Sequence, residues 1–531
     1  MPVQDLQVQR RNMNGNRGML TVLHRIPSRD RLAMSSVADT ADRRPLRLFF
    51  IPYFASSHLI PLVDIARFLA ARGVDSTILA TPCNAALVRA TVDAAAAAGL
   101  RIQLLEYPFP SAESGLPPGV ENLSALPPSE CDKIDYAIAF TRPTLEHLLG
   151  LHHPDAVVAD GHFPWTIDIA RKLGIPRIKF TALGTLSFCV FHSVLANQPF
   201  KDVTRDDERV PIPDLPHPLL LARSELPDFL VQDTVFGRLM EEVREADKAS
   251  LGIIINSCTE IEGIYLDYFH RMLSIKKTWL VGPISLNDSE SSSVGVRGGG
   301  LNPAAVGNRA RCLSWLSEQK PSSVVYACFG SWSQFTGEQL REIALGLEAS
   351  GHPFLWVLRE ADGAEWMPHG FEQRVKWRGL VLRGWVPQVE LLSHAAVGAF
   401  VTHCGWNSFQ EGVSSGLPMV TWPIGTDQFI IEKLVVERFR VGVKASDSIR
   451  STTDPNRTIV RAAELARAIG SIMDAGVAAE GTRRRARELA EKARAAVEKG
   501  GSSDKALNDL IEDIYVWHDN KRSAAGMAVD I

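Results

Sequence analysis

Between Trp385 and Gln428, short apolar runs at 399–402 (AFVT) and 419–422 (MVTW) alternate with polar runs of helical character at 387–394 and 408–415. Runs of strand length feeding runs of helix length are the pattern of a parallel sheet. This alternation constrains the fold more than any other feature, because such sheets take their ligands at the carboxyl ends of the strands. It recurs upstream in strand expectations at 46–52, 75–80, 155–160, 176–180, 253–257 and 279–283, then at 323–328, 354–358 and 379–384.

Two such series stand on either side of a Ser/Gly-rich stretch, SLNDSESSSVGVRGGGLNPAA, and 531 residues are too many for one ordinary core. The fold expectation is therefore α/β, with two doubly wound domains: 46–284, a flexible linker at 285–306, and 307–500. Helices are expected from 56 to 73 with Ser56 or Ser57 as N-cap, at 84–98, 311–319, 336–350, 429–439, 460–474, 478–499 and 501–518. Thr336 and Gln339 have the spacing of a capping box. A flexible tail is expected at 519–531. Residues 1–45 carry Arg10, Arg11, Arg17, Arg25, Arg29 and Arg31 against only Asp5 and Asp30 before Met34. That start admits an organelle transit peptide, but it lacks an amphipathic stripe, and a disordered extension is the reading favoured here.

A formal net charge of -4 carries no basic excess for nucleic acid and points to a small-molecule partner. Cysteines at 83, 131, 189, 258, 312, 328 and 404 have no C-x-x-C spacing, which suggests a reducing, cytoplasmic setting without structural zinc. No apolar run approaches the roughly 20 residues that span a bilayer. A monomer without membrane insertion is expected.

Chemistry concentrates at strand ends. The strand closing at Thr402 runs into His403-Cys404-Gly405-Trp406-Asn407-Ser408, with a helix starting at Asn407 or Ser408. Free amides and the helix dipole there favour a phosphate; Gly405 permits close approach, and Ser408 and His403 can donate. Together these suit a diphosphate. Gly330-Ser331 forms another such loop. His58 lies at the corner after the first strand, where a surface histidine is as natural as a functional one, and Asp160 ends strand 155–160, where it could simply cap the next helix. His152, His153 and His162 lack ligand spacing for a metal. The Pro-rich segment 108–128 reads as an irregular loop lining a pocket. Phe188, Phe191, Phe229 and Phe236 read equally as pocket wall or core.

Trp385, Gln388, HCGWNS at 403–408, Glu411 and Asp427-Gln428 form an ordered set that resembles the signature box of plant family 1 UDP-sugar-dependent glycosyltransferases, which have the GT-B fold. The resemblance implies two Rossmann-like domains facing across a cleft, with the last helix packed back on the first. It implies that Trp385 stacks on uracil while the Val386 backbone reads its edge, and that Gln388 and Glu411 hold the ribose. His403, Asn407, Ser408 and Ser331 would take the diphosphate, and Trp406, Asp427 and Gln428 would face the sugar. His58 becomes the base that deprotonates the acceptor and Asp160 the carboxylate that orients it; some relatives have a sugar-contacting threonine where Thr181 stands. Three departures stand out: Ser57 where the family usually has glycine, Phe409-Gln410 for the more usual Thr-Leu, and Ile430-Ile431 where a polar residue is common.

The resulting expectation is an inverting, metal-independent O-glucosyltransferase using UDP-glucose, with no cofactor and a small lipophilic acceptor: a flavonoid, another phenolic, a terpenoid or a steroid. There is no D-x-D motif of the metal-dependent glycosyltransferases. In the family, Gln428 favours glucose over galactose, and xylose or glucuronic acid donors stay open. A nicotinamide oxidoreductase would need G-x-G-x-x-G at a strand-helix turn, whereas Gly298-Gly299-Gly300 lies in the linker. A non-catalytic UDP-sugar binder is the third reading, against which His58 and Asp160 both speak.

Overall fold

The computed structural model describes residues 43–127, 130–288, 303–331, 333–359, 362–448, 451 and 457–529. In chain order the strands are β1 (Arg47–Ile51), β2 (Asp75–Ala80), β3 (Ile102–Glu106), β4 (Ala156–Asp160), β5 (Arg177–Thr181), β6 (Arg209–Pro211), β7 (Leu220–Ala222), β8 (Gly252–Ile255) and β9 (Thr278–Leu280), then β10 (Val324–Cys328), β11 (Phe354–Leu358), β12 (Gly379–Arg383), β13 (Val397–Thr402), β14 (Met419–Thr421) and β15 (Gly442–Lys444). They form a seven-stranded sheet, β3-β2-β1-β4-β5-β8-β9, a six-stranded sheet, β12-β11-β10-β13-β14-β15, and a small antiparallel β6-β7 pair.

In both large sheets every described pairing is parallel. Each sheet starts in its middle. The chain winds from β1 out to β3 before crossing back to β4, and from β10 out to β12 before crossing back to β13. Connections leave the pairs β1/β4 and β10/β13 in opposite directions, which opens a crevice at their carboxyl ends. The register, with Ile51 beside Ala159 and Cys328 beside Thr402, ends each pair of strands level.

Strand interiors such as Val157, Val158 and Ala159 are fully buried, as strands covered by helices on both faces must be. One apolar cluster continues from Leu186, Cys189 and Val190 of the first half into Trp406, Phe409, Ile430 and Ile431 of the second. Phe409, Ile430 and Ile431, three of the residues that depart from the family pattern, are therefore apolar filling where the halves meet.

Several local expectations are corrected. Helix Ser56–Ala70 is preceded by Ala55 as N-cap with no side-chain cap bond, so neither Ser56 nor Ser57 caps it. β3 and helix Asp132–His152 were not foreseen; Pro143 lies inside that helix. The segment 108–128 contains two short turns of helix, Ser111–Ser114 and Leu123–Ala125. The second half opens with a helix at Pro303–Ser317, earlier than 311. Thr336 caps the helix Gly337–Ala349, but Gln339 does not complete a box, because its amide pairs with both backbone groups of Val460 at 2.9 Å.

The last helix runs Ser502–Val529, well past 518. Leu507, Leu510 and Ile514 lie in the core of the first sheet, and Asp513 accepts from the Trp279 indole at 3.1 Å. The expected extension at 1–45 falls, apart from its last three residues, outside the described residues, as does most of the expected linker. Among the described residues no helix is long and apolar enough to cross a membrane.

Candidate functional site

The corner after β1 places His58 in the first turn of its helix, and β4 ends on Asp160. Because those strands are neighbours, the two side chains meet: His58 Nδ1 lies 2.7 Å from Asp160 Oδ2. His58 keeps 17% of its side chain exposed while Asp160 keeps 1%. Burial opposes ionisation of Asp160, but the charge of His58 and hydrogen bonds from two imidazoles outweigh it, holding the carboxyl well below the usual carboxylate range. The second imidazole belongs to His162, whose Nδ1 lies 2.7 Å from Asp160 Oδ1. Ligand-capable atoms of His58, Asp160 and His162 fall within 4.8 Å of one another. Each ring nitrogen involved is already hydrogen-bonded to the carboxylate, which describes a proton network.

In the second half, β13 delivers His403 through a turn with Cys404 at φ 63° into the helix Trp406–Ser414. The imidazole is wedged between two glycines. A Cβ at Gly330 would come within 2.7 Å of the ring, and one at Gly405 within 2.4 Å. Gly330 also has φ +79°, which glycine adopts at no steric cost. Burial pushes His403 down to about 4, so at neutral pH it is an uncharged donor. Its buried Nδ1 has no hydrogen-bond partner among the described residues, the state of a polar group that awaits a ligand or water. Ser331 follows Gly330 and is exposed.

Trp385 follows β12 with its indole half-buried, and Asn308 fixes its backbone by donating to the carbonyls of Arg383 at 2.8 Å and Trp385 at 3.3 Å. Val386 beside it is buried. Gln388 donates to Glu411 Oε2 at 2.7 Å and to Ser408 Oγ at 3.1 Å, so these three form one polar group. A carboxylate set among donors is suited to a vicinal diol. Gln428 accepts from the amides of Ile424 and Gly425 at 2.8 and 3.2 Å, which orients its amide.

Several hydrogen bonds join the halves at the cleft. Asn407 Nδ2 donates to the Ser57 carbonyl at 2.7 Å, one residue from His58. Ser187 donates to Asp427 Oδ2 at 3.1 Å. Burial raises Asp427 to about 6, against the opposing pull of Ser187, Thr426 and the charge of His58. A further contact holds Trp406. Its indole N–H donates to the Asn256 carbonyl at 2.8 Å, and the ring lies so close over Gly184 that a Cβ there would come within 2.7 Å. With 4% exposure, this indole is packed between the halves.

Reasoning from sequence weighed His162 only as a metal ligand and missed its bond to Asp160. The only signal was its place two residues after Asp160, at the same strand-end corner. Of the four phenylalanines, Phe236 lies 6.0 Å from His162, Phe229 lies 5.4 Å from Phe236, and Phe191 lies 5.4 Å from Phe229. They form an aromatic row leading away from the dyad. Phe188 instead packs on Phe269 at 5.9 Å, with Lys179 Nζ over its ring at 4.7 Å.

Residues 305–454 match the family model for UDP-glucoronosyl and UDP-glucosyl transferases. The chain is 41% identical to a scopoletin glucosyltransferase of Nicotiana tabacum over 89% of its length and 98% of the relative's. It is 39% identical to UDP-glucose flavonoid 3-O-glucosyltransferase 7 of Fragaria ananassa, covering 90% and 97% respectively. Among solved structures it resembles a Glycyrrhiza uralensis UGT complexed with glycyrrhetinic acid 3-O-monoglucuronide, with TM-score 0.84, 34% identity and coverage of 91% and 99%. It also resembles a Medicago truncatula UGT complexed with UDP-glucose, with TM-score 0.73, 27% identity and coverage of 88% and 98%. Likeness over nearly the whole of both chains, together with two doubly wound sheets whose switch points share a cleft, means that this protein belongs to the plant UDP-glycosyltransferase family, has the GT-B fold and is a glycosyltransferase.

Proposed function

We propose that the protein transfers glucose from UDP-glucose to a hydroxyl of a small lipophilic plant metabolite, with inversion and without a metal. The observation that carries this reading is the 2.7 Å pair of His58 and Asp160 at one switch point, tied through Ser57 and Asn407 to the helix that opens the other. A carboxylate can only accept, so His58 holds its proton on Nδ1 and keeps Nε2 as the base.

In the proposed step, Nε2 takes the acceptor's hydroxyl proton as that oxygen bonds to the anomeric carbon. The bond from the anomeric carbon to the UDP oxygen breaks, and UDP leaves from the opposite face. An α-linked donor yields a β-glucoside. Asp160 stabilises the imidazolium that forms. An uncharged His403, the Ser408 and Ser331 hydroxyls and the amides opening helix Trp406–Ser414 would offset the charge on the departing diphosphate. Trp385 offers its face to uracil and the Gln388–Glu411 pair its polar edge to the ribose. Asp427 and the oriented amide of Gln428 are the groups assigned to the sugar hydroxyls; Trp406 holds the cleft together.

The aromatic row Phe236, Phe229 and Phe191 supports an aromatic or polycyclic acceptor, and relatives named for scopoletin and flavonoids agree with that. Seven free cysteines support a reducing, cytosolic setting. The test is incubation with UDP-glucose, UDP-galactose, UDP-xylose and UDP-glucuronic acid against phenolic, terpenoid and steroid acceptors, read by mass spectrometry with and without EDTA. Glucosides formed equally in EDTA are expected. A stronger response to another donor, or loss of activity in EDTA, overturns the glucose and metal-free parts respectively.

A further inference from the structure

Asp160 does not serve His58 alone. Its Oδ2 receives His58 Nδ1 at 2.7 Å, while its Oδ1 receives both the His162 Nδ1 at 2.7 Å and the His162 backbone N–H at 3.1 Å. The fold builds this second partnership with care. Gly161 lets the chain turn against Lys179, whose Cε would lie 2.9 Å from a Cβ there. The His162 ring is stacked on Tyr53, with centroids 3.9 Å apart and planes 17° apart, and Tyr53 is held by its hydroxyl bond to Asp135 at 3.1 Å. His162 meets His58 edge to face at 5.2 Å and keeps 15% of its side chain exposed.

We propose that His162 is a positioning residue that divides the Asp160 carboxylate with His58 and thereby sets the lower pH limit of glycosyl transfer. This rests on the reading of His58 as the base.

The carboxylate carries one negative charge and is approached by two imidazole N–H groups. Charge drawn toward His162 is unavailable to stabilise a proton on His58 Nε2. Without His162, Asp160 would hold the His58 imidazolium more firmly, and the free base would exist only at higher pH. A proton on His162 itself would act with the same sign, since like charges 5.2 Å apart oppose each other. Other charged groups also act on the network: Asp135 on His162, Arg177 on Asp160 and Asp427 on His58. Asp135, on helix Asp132–His152, accepts from Tyr53. Behind Asp160, Arg177 and Lys179 of β5 pair with Asp247 of helix Val235–Ala249. Across the cleft, Asp427 accepts from Ser187.

The test is log kcat/KM against pH for the wild type, His162→Phe, His162→Gln and His58→Ala, with thermal melts and UDP affinity measured alongside. For His162→Phe the acid limb is expected to move up by about 1 pH unit. His162→Gln should move it less, because an amide N–H can still reach Oδ1, and this variant carries the test if the Phe variant does not fold. A purely structural role would lower the whole profile without moving the limb. An acid limb that coincides with wild type in the folded variants, beside an inactive His58→Ala, overturns the role of His162 alone. A His58→Ala enzyme that retains transfer overturns the reading beneath it.

Discussion

The side-chain amide of Asn407 donates to the backbone carbonyl of Ser57 at 2.7 Å, across 350 residues of chain. This bond joins the loop that presents His58 to the first turn of the helix that opens the donor side, and so helps to register the two halves of the site beside the Ser187–Asp427, Asn256–Asn407 and Trp406–Asn256 bonds. It uses a backbone acceptor, so serine in place of the family's usual glycine at 57 leaves it intact.

Asn407→Ala should lower kcat/KM by up to about tenfold, the worth of one hydrogen bond. Asn407→Asp should cost more, because a carboxylate would then face the Ser57 carbonyl. Steady-state kinetics on both variants checks this; equal losses would mean the contact is incidental.

Removing the base or its orienting carboxylate should act on turnover. His58→Ala and Asp160→Asn are each expected to lower kcat by about 100- to 10,000-fold. The UDP dissociation constant, measured by calorimetry, should change little, since neither side chain belongs to the donor half. A large loss of UDP affinity in His58→Ala would contradict this division of labour.

Trp385 and Trp406 of the box should part company. Trp385→Ala should weaken UDP binding about tenfold or more through loss of base stacking. Trp406→Phe should leave UDP affinity near wild type but destabilise the protein by about 1–3 kcal/mol, because the buried Asn256 carbonyl loses its donor. Calorimetric UDP titrations and thermal melts separate the two.

Asp427 gives a pH signature. Burial raises its carboxyl to about 6, whereas an unfolded aspartate titrates near about 4, so between these values the folded chain binds a proton that the unfolded chain has released. Its contribution to stability is therefore full below about pH 4 and lost as pH rises through about 6. Asp427→Asn should accordingly gain on the order of 2 kcal/mol over wild type at pH 8 and almost nothing at pH 4, read as a difference in melting temperature. The same variant should bind UDP-glucose more weakly while binding UDP nearly normally.

Much of this protein is legible one window at a time. Strand and helix periods, the loops after β1, β4 and β13, and the spaced set from Trp385 to Gln428 all follow from local pattern, because periodicity and turn chemistry act over a few residues. β3 and helix Asp132–His152 were not read, the first weakly buried and the second interrupted by Pro143. What the chain's order could not say is which corners share a cleft. His58 and Asp160 are 102 residues apart and touch only because β1 pairs with β4. Trp406 belongs to the interface, and Phe409, Ile430 and Ile431 fill a core common to both halves, because burial between distant elements decided their orientation. His162 carries no motif at all, and its bond to Asp160 follows from a corner whose shape is set by the Tyr53 ring and the β5 lysine beneath it.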